Sequence, residues 1–387
     1  MRASRGNAAD TPRDTSLVED PEGILGILAG WQGVGVVIRR DLPTGTWIFV
    51  VLHDDTLGPP TGGCRMKVYA RPSDALLDGI RLAEGMTYKW AAMDFPFGGA
   101  KSVLAVPRLL SGDERRGLLL RFGALLNSLG GRYGTGADLG TTTEDMRTIA
   151  EVSPYVIGVH GRSEGPMDPS PYTALGVFSG IQAALGHREG ERGLSGRSVL
   201  IQGVGAVGAS LARRLVEAGA EVILSDIDEG RARATAEELD AEVVAPGAEY
   251  DTPCTVYAPC AVGATLNRET IPRLACDIVA GAANNQLGHP GDAEALMERD
   301  ILYAPDFVIN GGGAMAFTLI YQGASLDTVE ARVRSIGPRL ETIFAEAELR
   351  STSPAEAALA HAEAILARGP EEGAPSSFED MRALSPE

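Results

Sequence analysis

The sequence predicts an α/β protein with two domains, the second of which contains a doubly wound parallel sheet. Three observations lead to this prediction. The chain has 387 residues, more than one hydrophobic core usually serves. From about residue 169 onward, short apolar runs rich in β-branched residues alternate with helical patterns, as in βαβ units. Prolines close to residue 169 separate this half from an N-terminal α/β part.

The N-terminal part is expected to form one domain over residues 21–168. Its strands and helices are predicted from alternating apolar runs and from apolar residues at helical spacing. Strands are predicted at residues 46–55 and 102–106, and helices at 72–93 and 113–131. A loop with a glycine pair joins the first helix to the second strand. Further helices within residues 325–368 are expected to pack back on this domain and complete it.

Residues 169–324 are expected to form the second domain, which begins with a predicted helix at 173–189. Its strands are predicted at residues 198–203, 221–226, 254–260, 276–284 and 307–311. Beyond the two domains, residues 1–20 contain arginines but no apolar segment, so they predict a disordered lead-in and not a secretory signal. The polar residues 369–387 predict a loose tail.

Composition excludes several classes of protein. The hydrophobic share is 44% and the charged share is 22%, and no run approaches the roughly 20 apolar residues that a membrane span needs. The formal net charge of −18 repels nucleic acid and anionic membranes. We therefore expect a soluble, cytoplasmic protein that binds neither.

Cysteines and histidines show no metal-ligand spacing. The four cysteines are Cys64, Cys254, Cys260 and Cys276, and the five histidines are His53, His160, His187, His289 and His361. We expect reduced thiols, structural or surface histidines, and no bound metal.

A glycine-rich turn lies in the setting that dinucleotide binding requires. The segment from Gly203 through Gly205, Ala206 and Val207 to Gly208 follows a predicted strand and opens a predicted helix. Its glycines permit a tight turn and close approach of a pyrophosphate, and the helix start offers free amides. The next strand ends at Asp226, where a carboxylate binds ribose hydroxyls and repels a 2′-phosphate. This pattern predicts a Rossmann-like domain that binds NAD in preference to NADP.

Two lysines and one aspartate are the candidate catalytic residues. Lys89 ends an apolar helix, and Lys101 follows the glycine pair at 98 and 99. Lysines are normally solvated, but one that is kept from water and near another cation loses its proton more readily and can act as a base. Asp138, in GADLGT, is the candidate acid, although the same pattern also suits a turn or helix N-cap aspartate.

Eight motifs in order carry a family resemblance. They are TGGCRM (61–66), GMTYK (85–89), GGAK (98–101), GADLGT (136–141), PSPYTALGV (169–177), QGVGAVG (202–208), APCAVGA (258–264) and AGAANNQL (280–287). Together they resemble the glutamate/leucine/phenylalanine/valine dehydrogenase family over about residues 45–345. The resemblance implies a substrate domain facing a Rossmann domain across a closing cleft. It also implies a homo-oligomer.

The resemblance implies a role for each matching residue. Lys89 is similar to the lysine that grips the substrate carboxylate, Lys101 to the lysine that activates water, and Asp138 to the acid that moves protons at the amino group. Further matches are Gly62 and Gly63 beside the reacting centre, Thr173 near the nicotinamide, Asn284 at the cofactor and Asn285 at the substrate. The order of the two asparagines stays open.

The implied reaction is NAD-dependent, reversible oxidative deamination of an apolar L-amino acid to its 2-oxo acid and ammonium. Glutamate-specific members carry a lysine where this chain has Thr61, so a distal carboxylate would be buried without a partner. Gly136 leaves room for a large side chain, whereas Met315 and Phe317 in a divergent NGGG segment are expected to line the pocket or to belong to the core. Large aliphatic and aromatic substrates, such as leucine, valine and phenylalanine, both remain open. The alternative is a catalytically silent NAD-binding scaffold.

Overall fold

The first half of the chain forms a mixed five-stranded sheet with helices packed on it. The structure, a computed structural model, describes residues 21–159 and 168–383, so the predicted lead-in and His160 lie outside the described residues. The elements are α1 (Pro21–Ala29), β1 (Gly35–Asp41), β2 (Thr46–Asp54), β3 (Pro60–Lys67), α2 (Pro72–Ala92), β4 (Gly98–Ala105), α3 (Gly112–Ser128), β5 (Gly134–Ala137) and α4 (Thr143–Ala150).

The strand order of this sheet is β1-β2-β4-β3-β5. The pairs β1/β2 and β2/β4 are antiparallel, whereas β3 runs parallel to both β4 and β5. Helix α2 packs on β2 and β4, and Gly79 permits this close contact because a Cβ there would lie 3.1 Å from Val51 and 3.3 Å from Val103. The parallel strands β4, β3 and β5 therefore run side by side next to the last turn of α2.

The second half of the chain forms a six-stranded parallel sheet. Its elements are α5 (Ser170–Glu189), β6 (Ser198–Gln202), α6 (Ala206–Glu217), β7 (Glu221–Ser225), α7 (Glu229–Leu239), β8 (Glu242–Val243), β9 (Cys254–Pro259), β10 (Cys276–Val279), α8 (Asp292–Glu298), β11 (Leu302–Tyr303), α9 (Asp306–Ile309) and α10 (Gly312–Gln322). The order β8-β7-β6-β9-β10-β11 is the doubly wound order of a Rossmann sheet, whose switch point lies between β6 and β9. The predicted α/β fold class is confirmed.

Four helices complete the described chain, namely α11 (Leu326–Arg334), α12 (Ile336–Arg350), α13 (Pro354–Arg368) and α14 (Phe378–Ala383). Helix α13 packs on α2, while α11 and α12 pack on α5. No helix in the described ranges is long and apolar enough to cross a bilayer.

The prediction of a loose tail over residues 369–387 is wrong at helix α14, whereas residues 370–373 before it are exposed and outside any helix or strand. Phe378 is fully buried, and its ring lies 5.4 Å from that of Tyr321 and 6.1 Å from that of Tyr155. It also fills the space that a side chain on Gly134 of β5 would need. Burial of one aromatic ring fixes this end of the chain because it removes a large apolar surface from water.

Two predictions about local structure are corrected. Residues 307–311, predicted as a strand, begin instead in helix α9, because Pro305 and Asp306 supply a helix start and the Asp306 carboxylate accepts a hydrogen bond from the Phe307 amide. Strand β4 begins at Gly98, so Lys101 lies within a fully buried strand and not behind a turn.

Candidate active site

One cavity between the two sheets collects most of the predicted site residues. The first half of the chain contributes Thr61, Gly62, Gly63, Lys89, Lys101, Gly136 and Asp138, and the second half contributes Thr173, Val207, Asn284 and Asn285. Residues that the sequence analysis did not single out also line it, among them Arg65, Arg81, Met86, Ile157, Asp306, Asn310 and Ala314. The expected cleft between a substrate domain and a Rossmann domain is therefore present.

Three adjacent strands bring Lys101 and Asp138 together. Lys101 on β4 is 5% exposed, and its Nζ lies 3.2 Å from Oδ1 of Asp138, which follows β5. Gly63 on β3 lies between them, and a Cβ there would be 2.8 Å from the Asp138 Cβ and 3.1 Å from the Lys101 Nζ. A Cβ on Gly62 would be 1.7 Å from the Ala100 carbonyl oxygen. The glycine pair is thus required by close packing, and Lys101 is not a solvated lysine.

Asp138 is not a helix N-cap. That position belongs to Thr142, whose hydroxyl accepts a hydrogen bond from the Asp145 amide in a capping box. The Asp138 carboxylate instead contacts Lys101 and the Nε of Arg65, at 2.8 Å. Burial alone would raise the pKa of Asp138, but the charges of Lys101 and Arg65 outweigh burial and hold the pKa below its usual range.

Lys89, in the last turn of α2, reaches across the cavity to the second domain. Its Nζ donates to Oδ1 of Asn310 at 2.7 Å and to Oδ1 of Asn284 at 3.3 Å. The residue is partly accessible from the cavity, yet protein atoms surround its amino group. This desolvation lowers the pKa of Lys89 to about 8, against the opposing charge of Asp306 and with a smaller contribution from Lys101. The amino group is therefore mostly charged at neutral pH and loses its charge as the pH rises through this value.

A hydrogen-bonded loop presents the two adjacent asparagines. Asn285 has a left-handed backbone with φ of 51°, and the Asp306 carboxylate accepts a hydrogen bond from the Gln286 amide at 3.0 Å. Burial raises the pKa of Asp306. The Asn310 amide group donates to Asn284 Oδ1 at 2.8 Å. Sequence analysis missed Asn310 because it was placed in a predicted strand, and missed Asp306 because no helix start was predicted there.

The glycine-rich turn follows β6 at the switch point of the second sheet. Gly203 has φ of 94°, and a Cβ on Gly208 would lie 2.0 Å from the Gly203 carbonyl oxygen, so both positions require glycine. Gly205 has no atom near its missing Cβ, and helix α6 begins at Ala206, which leaves open space beside free amides. Such a turn fits the pyrophosphate of a dinucleotide.

Asp226 lies beside this turn, at the end of β7. Its Oδ2 accepts a hydrogen bond from the Val204 amide at 2.7 Å, and its Oδ1 accepts one from the Asp228 amide at 2.8 Å. Each oxygen keeps a second lone pair that a ribose hydroxyl can use. Asp226 therefore holds the turn, and Nη1 of Arg231 lies 3.8 Å from its Oδ2.

Thr61 and Gly136 form part of the apolar side of the cavity. The Thr61 hydroxyl donates to the Pro59 carbonyl, and the Thr61 carbonyl accepts from the Trp90 indole at 2.9 Å, so this residue offers no cation to a substrate. The nearest atom to a Cβ on Gly136 would be 3.9 Å away, an ordinary contact.

The prediction that Met315 lines the pocket is wrong. Met315 is 1% exposed within the core, and its side chain is absent from the cavity wall. Residues three and four apart share one face of a helix, and on α10 that face carries Ala314, Phe317 and Thr318, which do line the cavity. Phe317 therefore limits the pocket, as the sequence suggested.

The described parts of the chain contain no group of three or more His, Cys, Asp or Glu side chains that could hold a metal ion. All four cysteines are free thiols, and burial raises the pKa of Cys64 and of Cys260 to about 12. The four described histidines include His53, whose Nδ1 lies 2.8 Å from the Thr87 hydroxyl, outside the cavity wall.

Comparisons with known proteins agree with this geometry. The model of the Glu/Leu/Phe/Val dehydrogenase dimerisation domain matches residues 45–154, and that of glutamate/leucine/phenylalanine/valine dehydrogenase matches residues 224–350. A leucine dehydrogenase of Thermoactinomyces intermedius is 40% identical over 310 residues, 80% of this chain and 84% of that protein. A valine dehydrogenase of Streptomyces albus is 38% identical over 84% of this chain and 89% of its own length. The crystal structure of L-tryptophan dehydrogenase from Nostoc punctiforme superposes with a TM-score of 0.77 at 34% identity, covering 89% of this chain and 99% of that one.

Proposed function

This chain belongs to the glutamate/leucine/phenylalanine/valine dehydrogenase family and is an amino-acid dehydrogenase, and we propose that it uses NAD to deaminate a large apolar L-amino acid. The reaction is reversible and yields a 2-oxo acid and ammonium. One observation carries the proposal: Lys89, Lys101 and Asp138 line the same cavity as Val207 of the dinucleotide turn. An α-amino acid in this cavity therefore has cations, a carboxylate and the cofactor turn around its α-carbon.

Each of the three charged residues has a separate role in the reaction. Lys89, at the end of α2, binds the substrate carboxylate. Asp138 takes a proton from the α-amino group before oxidation and returns it when ammonium leaves. NAD held at the glycine-rich turn that contains Val207 would supply the acceptor for the hydride of the α-carbon. Lys101 then takes a proton from the water that attacks the imine carbon, and both lysines stabilise negative charge that develops on oxygen.

The preference for NAD rests on Asp226. Its carboxylate faces the glycine turn and carries no hydrogen-bond donor for a 2′-phosphate, so NADP would place two anions side by side. The open space at Gly205 and the free amides at the start of α6 fit the pyrophosphate that NAD and NADP share.

The substrate side chain lies against apolar wall. Met86, Ile157, Ala314 and Phe317 line the cavity around Gly136, and Thr61 replaces the lysine expected of glutamate-specific members. Arg65 and Arg81 also line the cavity; Arg65 is already paired with two carboxylates. An apolar side chain buries surface here without leaving a charge unpaired, which favours leucine, valine or an aromatic amino acid.

The active form is a homo-oligomer. The family model that matches residues 45–154 is described as a dimerisation domain, which supports this part of the proposal. Sedimentation equilibrium of the full chain tests it: a single species at the mass of the monomer across the micromolar range would contradict it.

Initial rates of NADH formation test the function. The panel contains leucine, valine, phenylalanine, tryptophan and glutamate, each with NAD and with NADP at alkaline pH. We expect turnover with at least one apolar amino acid and NAD, and weak or no turnover with glutamate or with NADP. A preference for glutamate would contradict the role of Thr61, and a protein that binds NAD without turning over any amino acid would be the silent scaffold.

A further inference from the structure

Arg65 lines the cavity and makes charged contacts there that the proposed mechanism does not use. Its Nε donates to Oδ2 of Asp138 at 2.8 Å, and its Nη1 donates to Oδ2 of Asp78 at 3.0 Å. Asp78 lies on α2 and also accepts a hydrogen bond from the Tyr69 hydroxyl. One guanidinium therefore joins the candidate acid to a second carboxylate on the neighbouring helix.

The position of Arg65 follows from the strand register. Gly63 pairs with Gly136 across β3 and β5, and Arg65 lies two residues beyond Gly63 on the same face of β3. The planar fork of an arginine can bind one oxygen of a carboxylate while its other nitrogens bind elsewhere. Because Arg65 binds Oδ2 of Asp138, Oδ1 is the oxygen that faces Lys101.

We propose that Arg65 is a positioning residue that fixes the Asp138 carboxylate with Oδ1 toward Lys101 and balances its charge. This proposal rests on the proposed function, since it concerns the proton steps of the same reaction. Without Arg65, the Asp138 carboxylate could rotate about its side-chain bonds, and no contact would keep Oδ1 rather than Oδ2 toward Lys101.

The charge around Asp138 comes from several sides. Lys101 and Arg65 contact the carboxylate directly, and Asp78 and Tyr69 lie behind Arg65. Lys89, Cys64 and Tyr133 are the other titratable groups that sense its charge. Of the charged side chains around Asp138, Arg65 and Asp78 can be exchanged without removing a group that the mechanism places on substrate. They carry opposite charges, so they offer a paired test.

The test compares R65Q, R65K and D78N with R121Q, using the best substrate of the amino-acid panel. R121Q breaks another arginine–aspartate pair, between Arg121 and the buried Asp41, away from the cavity wall.

We expect R65Q to lower kcat about 100-fold, the lower range of an acid–base contribution, with NAD affinity unchanged. R65K should recover part of kcat because it keeps the charge but not the fork. R121Q should keep kcat within about threefold of the parent, since surface and remote changes do not reach the transition state.

The pH profile of kcat/KM separates positioning from a structural role. Loss of the Arg65 cation favours the protonated form of the Lys101 and Asp138 cluster, so the acid limb of R65Q moves to higher pH. Loss of the Asp78 anion favours the deprotonated form, so the acid limb of D78N moves to lower pH.

Opposite displacements of the two acid limbs support the proposal, whereas limbs that coincide with that of R121Q overturn it. If R65Q fails to fold, D78N decides alone: an acid limb at lower pH supports the proposal, and a limb that coincides with that of R121Q overturns it. An inactive parent protein would instead remove the proposed function.

Discussion

Lys101 and Lys89 face the same cavity but lie in opposite electrostatic surroundings. Lys101 lies in a buried strand, and its neighbour is a carboxylate of the same sheet that Arg65 also binds. Lys89 lies at a helix end, and its neighbours are neutral amide oxygens of the other domain. The first surroundings keep charge balanced before a substrate arrives, whereas no carboxylate among the described residues contacts the Lys89 amino group. Proton transfer suits the first lysine and carboxylate binding suits the second.

Of the variants considered, Lys101→Ala should lower kcat the most. Removing the base should lower kcat about 10³- to 10⁴-fold, since general base catalysis contributes factors of this size. The dinucleotide turn lies on the other domain, so the Kd for NAD should stay within about twofold. Single-turnover kinetics and NAD titration measure the two quantities. Unchanged turnover would remove Lys101 from the mechanism.

Gly63→Ala should have the next largest effect, with Gly136→Ala as its matched control. The two glycines are paired in register on β3 and β5, but only Gly63 has Lys101 and Asp138 within 3.1 Å of its missing Cβ. G63A should lower kcat about 100-fold, as misplacement of reacting groups by about 1 Å does. G136A should change the rate with valine less than about threefold, because its methyl makes an ordinary contact. Equal losses of rate in G63A and G136A would contradict the inference that only position 63 lies against Lys101 and Asp138.

The pH dependence of carboxylate binding tests the surroundings of Lys89. Its pKa is lowered to about 8, so the amino group is charged below this pH and becomes neutral as the pH rises through it. The affinity for the 2-oxo acid product, measured by NADH fluorescence, should therefore weaken above pH 8. Lys89→Gln should raise the KM for the amino acid about 100-fold, the loss of a charge-assisted contact, and should abolish this pH dependence. A pH dependence that persists in the variant would assign it to another group.

Asn310→Asp should give the smallest of these effects. A carboxylate at this position would pair with Lys89 Nζ and compete with the substrate carboxylate, so the surroundings of Lys89 would resemble those of Lys101. The KM for the amino acid should rise about tenfold, within the range of one partly exposed ion pair, with little change in kcat. Steady-state kinetics measure both, and Asn310→Ala is the control that removes the acceptor without adding charge. A lower KM in N310D would contradict the competition.

The sequence could predict those site residues that lie within recognisable motifs. Lys89, Lys101 and Asp138 stand in short segments whose glycines and neighbouring patterns already indicate buried, close-packed backbone. The parallel, doubly wound character of the second sheet also follows from its alternating strands and helices, because parallel strands require helical crossovers. These features are local in sequence or follow from general rules of topology.

Contacts between distant segments were not predictable in the same way. The sequence showed Arg65 only as one letter of a motif. Its pairing with Asp138 could not be predicted, because it depends on the register of β3 with β5. Met315 and Phe317 are two residues apart, and only the rotation of α10 decides which one reaches the cavity. Residues 307–311 read as a strand because their apolar residues favour both states, and Asp306 decided for helix.

Phe378 connects the C-terminal helix α14 to the candidate site. Its ring packs against Gly134, the first residue of β5, and Asp138 directly follows this strand. Removing the chain from residue 369 onward would expose an apolar space under that strand and loosen Asp138, although none of the described residues in this segment lines the cavity. We therefore expect such a truncation to lower kcat.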